Sequence, residues 1–179
     1  KDLFESNIGV TVSEQFSPDY RYGVFPSAAV GYIVSKEKFW KRAMPWWSTM
    51  KIRYSNGWVG SDASGSNWLY YSSWKQTSGY YQEEAAANVT ARWETAHKQD
   101  LGFEMGFLKN KLTVNVDLYD EKRNDMLMPP VVTAFVGVAY KDVNAGALKK
   151  HGFEVEANWR NTTSGGFTYS FGGMIGLSE

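Results

Sequence analysis

The residues from Trp93 to Tyr119, WETAHKQDLGFEMGFLKNKLTVNVDLY, admit very few folds. Leu101, Phe103, Met105 and Phe107 alternate with Asp100, Gly102, Glu104 and Gly106; after a short turn at Leu108 to Lys111, Leu112, Val114, Val116 and Leu118 alternate with Thr113, Asn115, Asp117 and Tyr119. Successive side chains leave an extended backbone on opposite sides, so a period of two is the mark of a strand with one apolar and one polar face. Pairing Phe107 with Leu112 places Met105 opposite Val114, Phe103 opposite Val116 and Leu101 opposite Leu118. A slip of one residue would set apolar against polar along the whole hairpin, so the register is determined.

The same alternation recurs elsewhere. It runs through Ile8, Val10 and Val12, through Tyr22, Val24, Ala28, Val30 and Tyr32, and through Met50, Ile52 and Tyr54. It returns in Phe153, Val155, Ala157 and Trp159, and in Phe167, Tyr169, Phe171, Ile175 and Leu177. That makes seven strands. Pro26 inside the second predicts a bulge or an edge, because proline cannot donate to a ladder. Between the second and third strands, Ser35 to Thr49 predicts a turn with a short irregular or helical piece, broken at Pro45. The pattern vanishes from Gly57 to Ala91 and again from about Asp120 to Asn144, giving two long connections. Loops beyond about 12 to 15 residues are uncommon unless they serve a function. Counted from Tyr22, the joins alternate between tighter turns and long loops, so in an up-and-down meander the long loops share one end.

Composition narrows the classes. Among 179 residues there are 8 Trp, 11 Tyr, 10 Phe and 17 Gly, with no Cys, which fits an all-β chain without disulfides. Basic and acidic residues balance at 19 each, leaving no electrostatic case for nucleic acid. No apolar run reaches the ~20 residues of a membrane helix, and KDLFESN does not read as a signal peptide, so a membrane reading means a β-barrel. Aromatics gather at strand ends: Tyr32, Phe39, Trp40, Trp46, Trp47, Trp159 and Phe167 at the turn end, Tyr22, Tyr54, Trp58 and Trp93 at the loop end. Two aromatic girdles around an apolar band would produce this in a transmembrane barrel. A soluble, aromatic-rich carbohydrate-binding β-sandwich, with the apolar face as its core, is the alternative architecture. A barrel would need more chain than these strands supply, since lipid tolerates no open sheet edge.

No constellation for an enzyme stands out. His97 and His151 lack partners at metal spacing, and the glycines from Gly57 to Gly65 are not followed by a phosphate-binding lysine. Glu154 and Glu156 share a strand face about 7 Å apart, but a hydrated wall explains them more simply than paired glycosidase carboxylates do. We therefore expect no enzymatic activity, no cofactor and no metal site. Trp68, Tyr70, Tyr71, Trp74, Tyr80 and Tyr81, set among Asn67, Lys75 and Gln76, form either a self-packed loop or a surface that stacks on a ligand.

Several segments then carry a resemblance. Arg21 to Ser27, RYGVFPS, with Gly31-Tyr32 and Glu37-Lys38-Phe39, is similar to the RYGFFPS, GW and ExF pattern of SusC/RagA-type TonB-linked outer-membrane transporters of Bacteroidetes. Met50 to Gly57, Asn88 with Trp93-Glu94, the hairpin itself, Asp125-Met126-Leu127, Asn144-Ala145-Gly146 and Gly152-Phe153-Glu154 resemble further segments of that family, in order and at matching spacing. Tyr32 stands where the family usually has Trp. The resemblance implies a segment of a large antiparallel up-and-down transmembrane barrel, about seven of about 22 strands, with all 179 residues in the barrel domain and the plug and TonB box outside this chain. It further implies import of an oligosaccharide, slightly favoured over a peptide, through the bacterial outer membrane. The partners would be the lipid bilayer, a SusD-like lipoprotein lid and TonB, reached through the missing amino-terminal part. Lys51, Arg53, Lys98, Asp100, Glu104, Asn115, Asp117, Glu154 and Glu156 would face the lumen, and the six aromatic loop residues would contact ligand or lid.

Overall fold

A computed structural model describes residues 2–64, 67–133, 135 and 137–179. Gly65, Ser66, Ala134 and Val136, which fall within the two long connections, lie outside the described residues. The strands are β1 (Asp2–Val12), β2 (Tyr22–Ile33), β3 (Trp47–Ser61), β4 (Ser73–Thr77), β5 (Tyr80–Ala86), β6 (Glu94–Phe107), β7 (Leu112–Met128), β8 (Ala139–Tyr140), β9 (Val143–Thr162) and β10 (Thr168–Ser178). A 3-10 turn at Val34–Lys36 and a helix, α1 (Lys38–Ala43), link β2 to β3. Seven strands form one antiparallel sheet in the order β1-β2-β3-β6-β7-β9-β10, and β4-β5-β8 form a second, small one. The expected meander of seven strands is therefore present.

The hairpin adopts the register read from its alternation: Phe107 opposes Leu112, Met105 opposes Val114, Phe103 opposes Val116 and Leu101 opposes Leu118. Opposed residues in an antiparallel pair share a face, so this register propagates outward. Ile52, Phe103, Val116, Val155 and Ile175 lie in one row across five strands. The other face repeats the logic with polar residues, as in the row Lys51, Glu104, Asn115, Glu156.

The apolar face is not a core. Ile8, Val10, Val24, Phe171, Ile175 and Leu177 are exposed, and the buried cluster among the described residues is Phe16, Leu69 and Ala91, with Trp93 and Leu127 packed against it. This cluster joins the β1–β2 connection to the long β3–β6 connection and to the end of β7. The sandwich alternative fails here, because it requires the apolar face to be covered.

Four expectations need correction. The stretch from Gly57 to Ala91 is not patternless: β3 runs on to Ser61, and β4 and β5 form a hairpin within it. The second long connection is shorter than expected, because β7 reaches Met128 and β9 starts at Val143. Beyond Tyr119 the strand carries polar residues on both faces, so the hydropathic period ends while the backbone stays extended. Pro26 produces no bulge, since β1 and β2 pair without a register shift. It lies one residue past Ser27–Gly57, where the β2–β3 ladder stops, so its missing N–H costs that ladder nothing. Finally, Trp93 does not belong to an outer girdle. Its ring packs edge-on against Phe16 and Phe25, at 5.5 and 5.6 Å between centroids, and its indole N–H donates to the Arg21 carbonyl.

At the turn end, Trp40, Trp46, Trp47 and Phe107 do cluster, with Trp47 centroids 4.8 Å from Trp40 and 5.1 Å from Phe107. Leu69 is fully buried in the loop-end cluster. Leu69→Ala should therefore cost about 2 to 5 kcal/mol locally, and limited proteolysis of the full-length protein should show faster cleavage within residues 62–93 while cleavage at 108–111 stays unchanged.

Candidate functional site

Two regions hold the residues singled out from the sequence: the loop end of the sheet and its polar face. The loops are tied together by side chains reaching backbone groups, the usual way to satisfy a polar main chain that has left a ladder. Asn144 accepts from the Arg92 N–H at 3.0 Å and donates to the carbonyls of Arg92 and Asp125 at 2.8 and 2.7 Å. Asn88 donates to the Asp142 carbonyl at 2.8 Å. The Lys141 ammonium donates to the carbonyls of Asn67 and Trp68, and the Leu69 and Trp68 N–H groups donate to the backbone and side-chain oxygens of Gln15. The Arg92 guanidinium meets Asp125 at 2.6 Å, and that hydrogen bond raises its already high pKa.

From this base the β4–β5 hairpin projects. Its two-residue turn, Ser78-Gly79, has φ of 44° and 90°, the doubly left-handed geometry of a type I′ turn, which matches strand twist and which glycine accepts at no steric cost. In its register Gln76 opposes Tyr81, Thr77 opposes Tyr80 and Trp74 opposes Glu83. Trp74 and Tyr81 therefore share one face with Gln76 and Glu83, and both rings are exposed, at 62% and 71%. Tyr80 lies on the opposite face with Lys75. Trp68 and Tyr71 are exposed at the base, where Tyr70 contacts Tyr71 at 4.3 Å between centroids. Burial, and then the bond to the Tyr71 hydroxyl, push the Tyr70 hydroxyl above its ordinary value, so it remains a donor. The six rings are thus not one surface: Trp74 and Tyr81 are exposed on one hairpin face, while half-buried Tyr70 contacts exposed Tyr71 at the base.

The polar face carries a charge network. Arg53 bonds Asp100 at 3.0 Å and Asp117 on β7, and its Nε lies 3.6 Å from Glu104, which also takes Lys51 at 2.8 Å. Arg53 reaches these partners by lying across Gly102, where a Cβ would meet its guanidinium. Lys98 opposes Glu121 at 3.5 Å. Asn115 and Asn158 donate to Glu156, and Glu154 stands opposite Asp117. All nine residues assigned to this wall share the face. Half-exposed pairs of this kind contribute ~0 to 1 kcal/mol each, so the network orders the side chains of the polar face and adds little stability. Among the described residues no group of three or more His, Asp or Glu is placed to hold a metal ion.

Phe16, Leu69 and Asn144, which organise the loop end, were not singled out as functional from the sequence. Ser78-Gly79 between two short polar and aromatic segments was the readable sign of the missed hairpin. Asn144→Ala leaves the Arg92 N–H and the Arg92 and Asp125 carbonyls without their partner, so hydrogen exchange should show the amides around Arg92 and Asp125 opening more readily by about 1 to 3 kcal/mol, with the amides of the 101–118 hairpin unaffected.

Comparison with known proteins places these features. Residues 4–177 match the family model described as TonB dependent receptor-like, beta-barrel. The chain is similar to TonB-dependent receptor P3 of Formosa agariphila, 32% identical over 165 residues covering 88% of this chain and 16% of that protein. It is also similar to TonB-dependent receptor SusC of Bacteroides thetaiotaomicron, 30% identical over 171 residues, covering 88% and 17%. The chain thus spans about one sixth of these relatives. Its fold superposes on the structure of the RagAB peptide transporter with a TM-score of 0.84 and 19% identity, over 99% of this chain and 20% of that one.

Proposed function

This chain belongs to the TonB dependent receptor-like β-barrel family, and from that premise we propose that it forms part of the wall of an outer-membrane importer that takes up oligosaccharide, in preference to peptide, beneath a SusD-like lipoprotein lid. The apolar face meets lipid, and Lys51, Arg53, Lys98, Asp100, Glu104, Asn115, Asp117, Glu154 and Glu156 line the lumen of a barrel of about 22 strands. Energy reaches the barrel from TonB through a plug and TonB box outside these residues, and no catalytic step is involved.

Strand length supports the membrane setting. From Leu112, level with Trp159 and Phe107, to Lys122, in the row of Trp58 and His97, β7 climbs ten residues. At about 3.4 Å per residue and a tilt near 40° this is about 26 Å, close to the ~25 Å apolar band of such barrels. Long β7 and β9 then carry the loops clear of the headgroups.

The observation that carries the substrate reading is the pair Trp74 and Tyr81, held exposed on one hairpin face beside Gln76 and Glu83. Flat rings flanked by hydrogen-bonding groups suit a sugar, whose C–H face stacks while its hydroxyls are bonded. Replacing Trp74 and Tyr81 by Ala in the full-length protein should weaken glycan binding by about 0.5 to 1.5 kcal/mol per ring beyond lost area, with Tyr80→Ala reporting whether the second face also takes part. Loss of peptide uptake alone would assign the surface to peptides. Unchanged uptake and unchanged lid affinity, at normal surface expression, would return the hairpin to self-packing.

The lumen assignment has its own check in single cysteines placed at Met105, Val114 and Val116, and at Glu104, Asn115 and Asp117. An aqueous thiol reagent should label the second set and spare the first; the reverse pattern would turn the sheet inside out.

A further inference from the structure

Beside the Phe16–Leu69 cluster, the residues after β1 and the start of the β3–β6 connection enclose a cleft of about 320 Å³. The packing of the loop end creates it. The Leu69 N–H donates to the Gln15 carbonyl at 3.0 Å, and Phe16 and Leu69 are buried together, so residues 12–15 are brought against residues 67–68. The hairpin rings Trp74 and Tyr81 do not line it.

Trp68 lines this cleft with φ of 47°, a left-handed backbone that a bulky aromatic rarely takes. Its main chain is held from both sides: the N–H donates to the Gln15 side-chain oxygen at 3.0 Å, and the carbonyl accepts from the Lys141 ammonium at 2.9 Å. The same Gln15 amide donates to the Asn67 side-chain oxygen at 3.3 Å. The backbone is thus fixed while the indole stays 56% exposed. A ring positioned in this way loses little freedom when it stacks on a ligand.

The other lining groups carry hydrogen-bonding capacity that the protein leaves unused. Ser13, 4% exposed, donates to one oxygen of Asp62 at 2.6 Å and accepts from the Gln15 N–H, so Asp62 keeps its second oxygen for a ligand. Among the described residues, that oxygen, the Glu14 carboxylate and the Asn67 side-chain N–H groups have no hydrogen-bond partner. Neither Lys141 nor Arg21 lines the cleft, and no ion pair among the described residues engages Glu14 or Asp62. A sugar hydroxyl donates and accepts, so it satisfies carboxylate and amide together. A basic peptide side chain only donates, and would set its donors against those of Asn67. An acidic sugar would meet two like charges.

We propose that this cleft is a sugar subsite that seats one neutral ring of the oligosaccharide on Trp68, and that Glu14 and Asp62 select against acidic glycans. The proposal rests on the reading of the chain as part of an oligosaccharide importer and names the class of glycan that it takes. The volume lies at the lower end of the ~300 to 1,000 Å³ of ligand sites, which suits a single ring with the rest of the glycan outside.

The test is calorimetric titration of the full-length protein in detergent with neutral glucan, mannan and galactan oligosaccharides and with oligogalacturonate. A neutral oligomer should bind and oligogalacturonate should bind more weakly. Trp68→Ala should weaken the neutral ligand about two- to tenfold, and Trp68→Phe should keep most of the affinity. Glu14→Gln with Asp62→Asn should narrow the preference for neutral over acidic oligomers by about tenfold, because the repulsive element is gone while hydrogen-bonding groups remain. Glu14→Gln alone, at an exposed position, should shift the ratio the same way, and so reports selectivity without disturbing Ser13. Trp74→Ala with Tyr81→Ala should weaken neutral and acidic oligomers by the same factor. A neutral oligomer that binds with unchanged affinity to Trp68→Ala, or an unchanged ratio in the double carboxylate variant, overturns the subsite. Binding of trilysine that the double carboxylate variant abolishes, with glycan affinities unmoved, assigns the cleft to a peptide side chain and overturns it too. If no oligosaccharide binds the unaltered protein, the importer's glycan reading has itself failed, a result distinct from a bound glycan that ignores Trp68.

Discussion

Cross-strand register is the constraint on which the rest of this molecule depends. In an antiparallel sheet, opposed residues share a face, so six ladders together decide whether Arg53, Asp100, Glu104 and Asp117 meet one another or are driven into the apolar band. A slip of one residue in any ladder would put charges on the apolar face and leucines on the polar one. On the proposed reading of the apolar face as lipid-exposed, charges there cost roughly 2 to 4 kcal/mol each at mid-depth, so a slipped strand with two or three such residues would lose most of a domain's stability of ~5 to 15 kcal/mol. The ion pairs are weak individually. Their contribution is that they form in one register only, and Gly102 lets the Arg53 guanidinium lie flat enough to reach β7.

Where the strands leave the apolar band, the governing physics changes. Above Tyr119 neither face is consistently apolar, and order comes from a small dry cluster, Phe16, Leu69 and Ala91, together with amide side chains that cap backbone groups. Asn88 and Asn144 act as clamps between loops separated by more than 50 residues in sequence. Trp93 belongs to this system, turned inward between Phe16 and Phe25. Such a base is what a projecting hairpin needs if exposed rings are to be held for a ligand instead of collapsing onto one another: freezing the support beforehand lowers the entropy lost on binding. On the proposed reading, the charged wall and the aromatic loops are successive environments for one solute.

The hairpin from Glu94 to Tyr119 was legible almost entirely, because a four-residue turn leaves little choice of partner and its alternation is strict. The faces of β2, β3, β9 and β10 were legible for the same reason. The upper halves of β7 and β9 were not, since Glu121, Lys122, Arg123 and Asn124 show no apolar period even though they are extended. The β4–β5 hairpin was missed because its residues are polar or aromatic on both faces, as suits strands in water, so only Ser78-Gly79 signalled it. Trp93 was misplaced because an aromatic at a strand end looks the same in sequence whether it turns out to a girdle or in to a cluster.

What the sequence by itself determined is therefore the two-faced sheet, the hairpin register, and the sorting of long loops to one end, all of which follow from the period of two and from contacts between neighbours along the chain. Family membership was legible as well, since motif order survives without knowledge of any contact. Only the tertiary structure decided that Trp74 and Tyr81 share a face while Tyr80 does not, that Phe16 reaches Leu69, and that Lys122 stands opposite Lys149. Each of those depends on how far strands extend beyond their apolar stretch, or on which distant loop fills a space, and such pairings are set by long-range packing that no local pattern encodes.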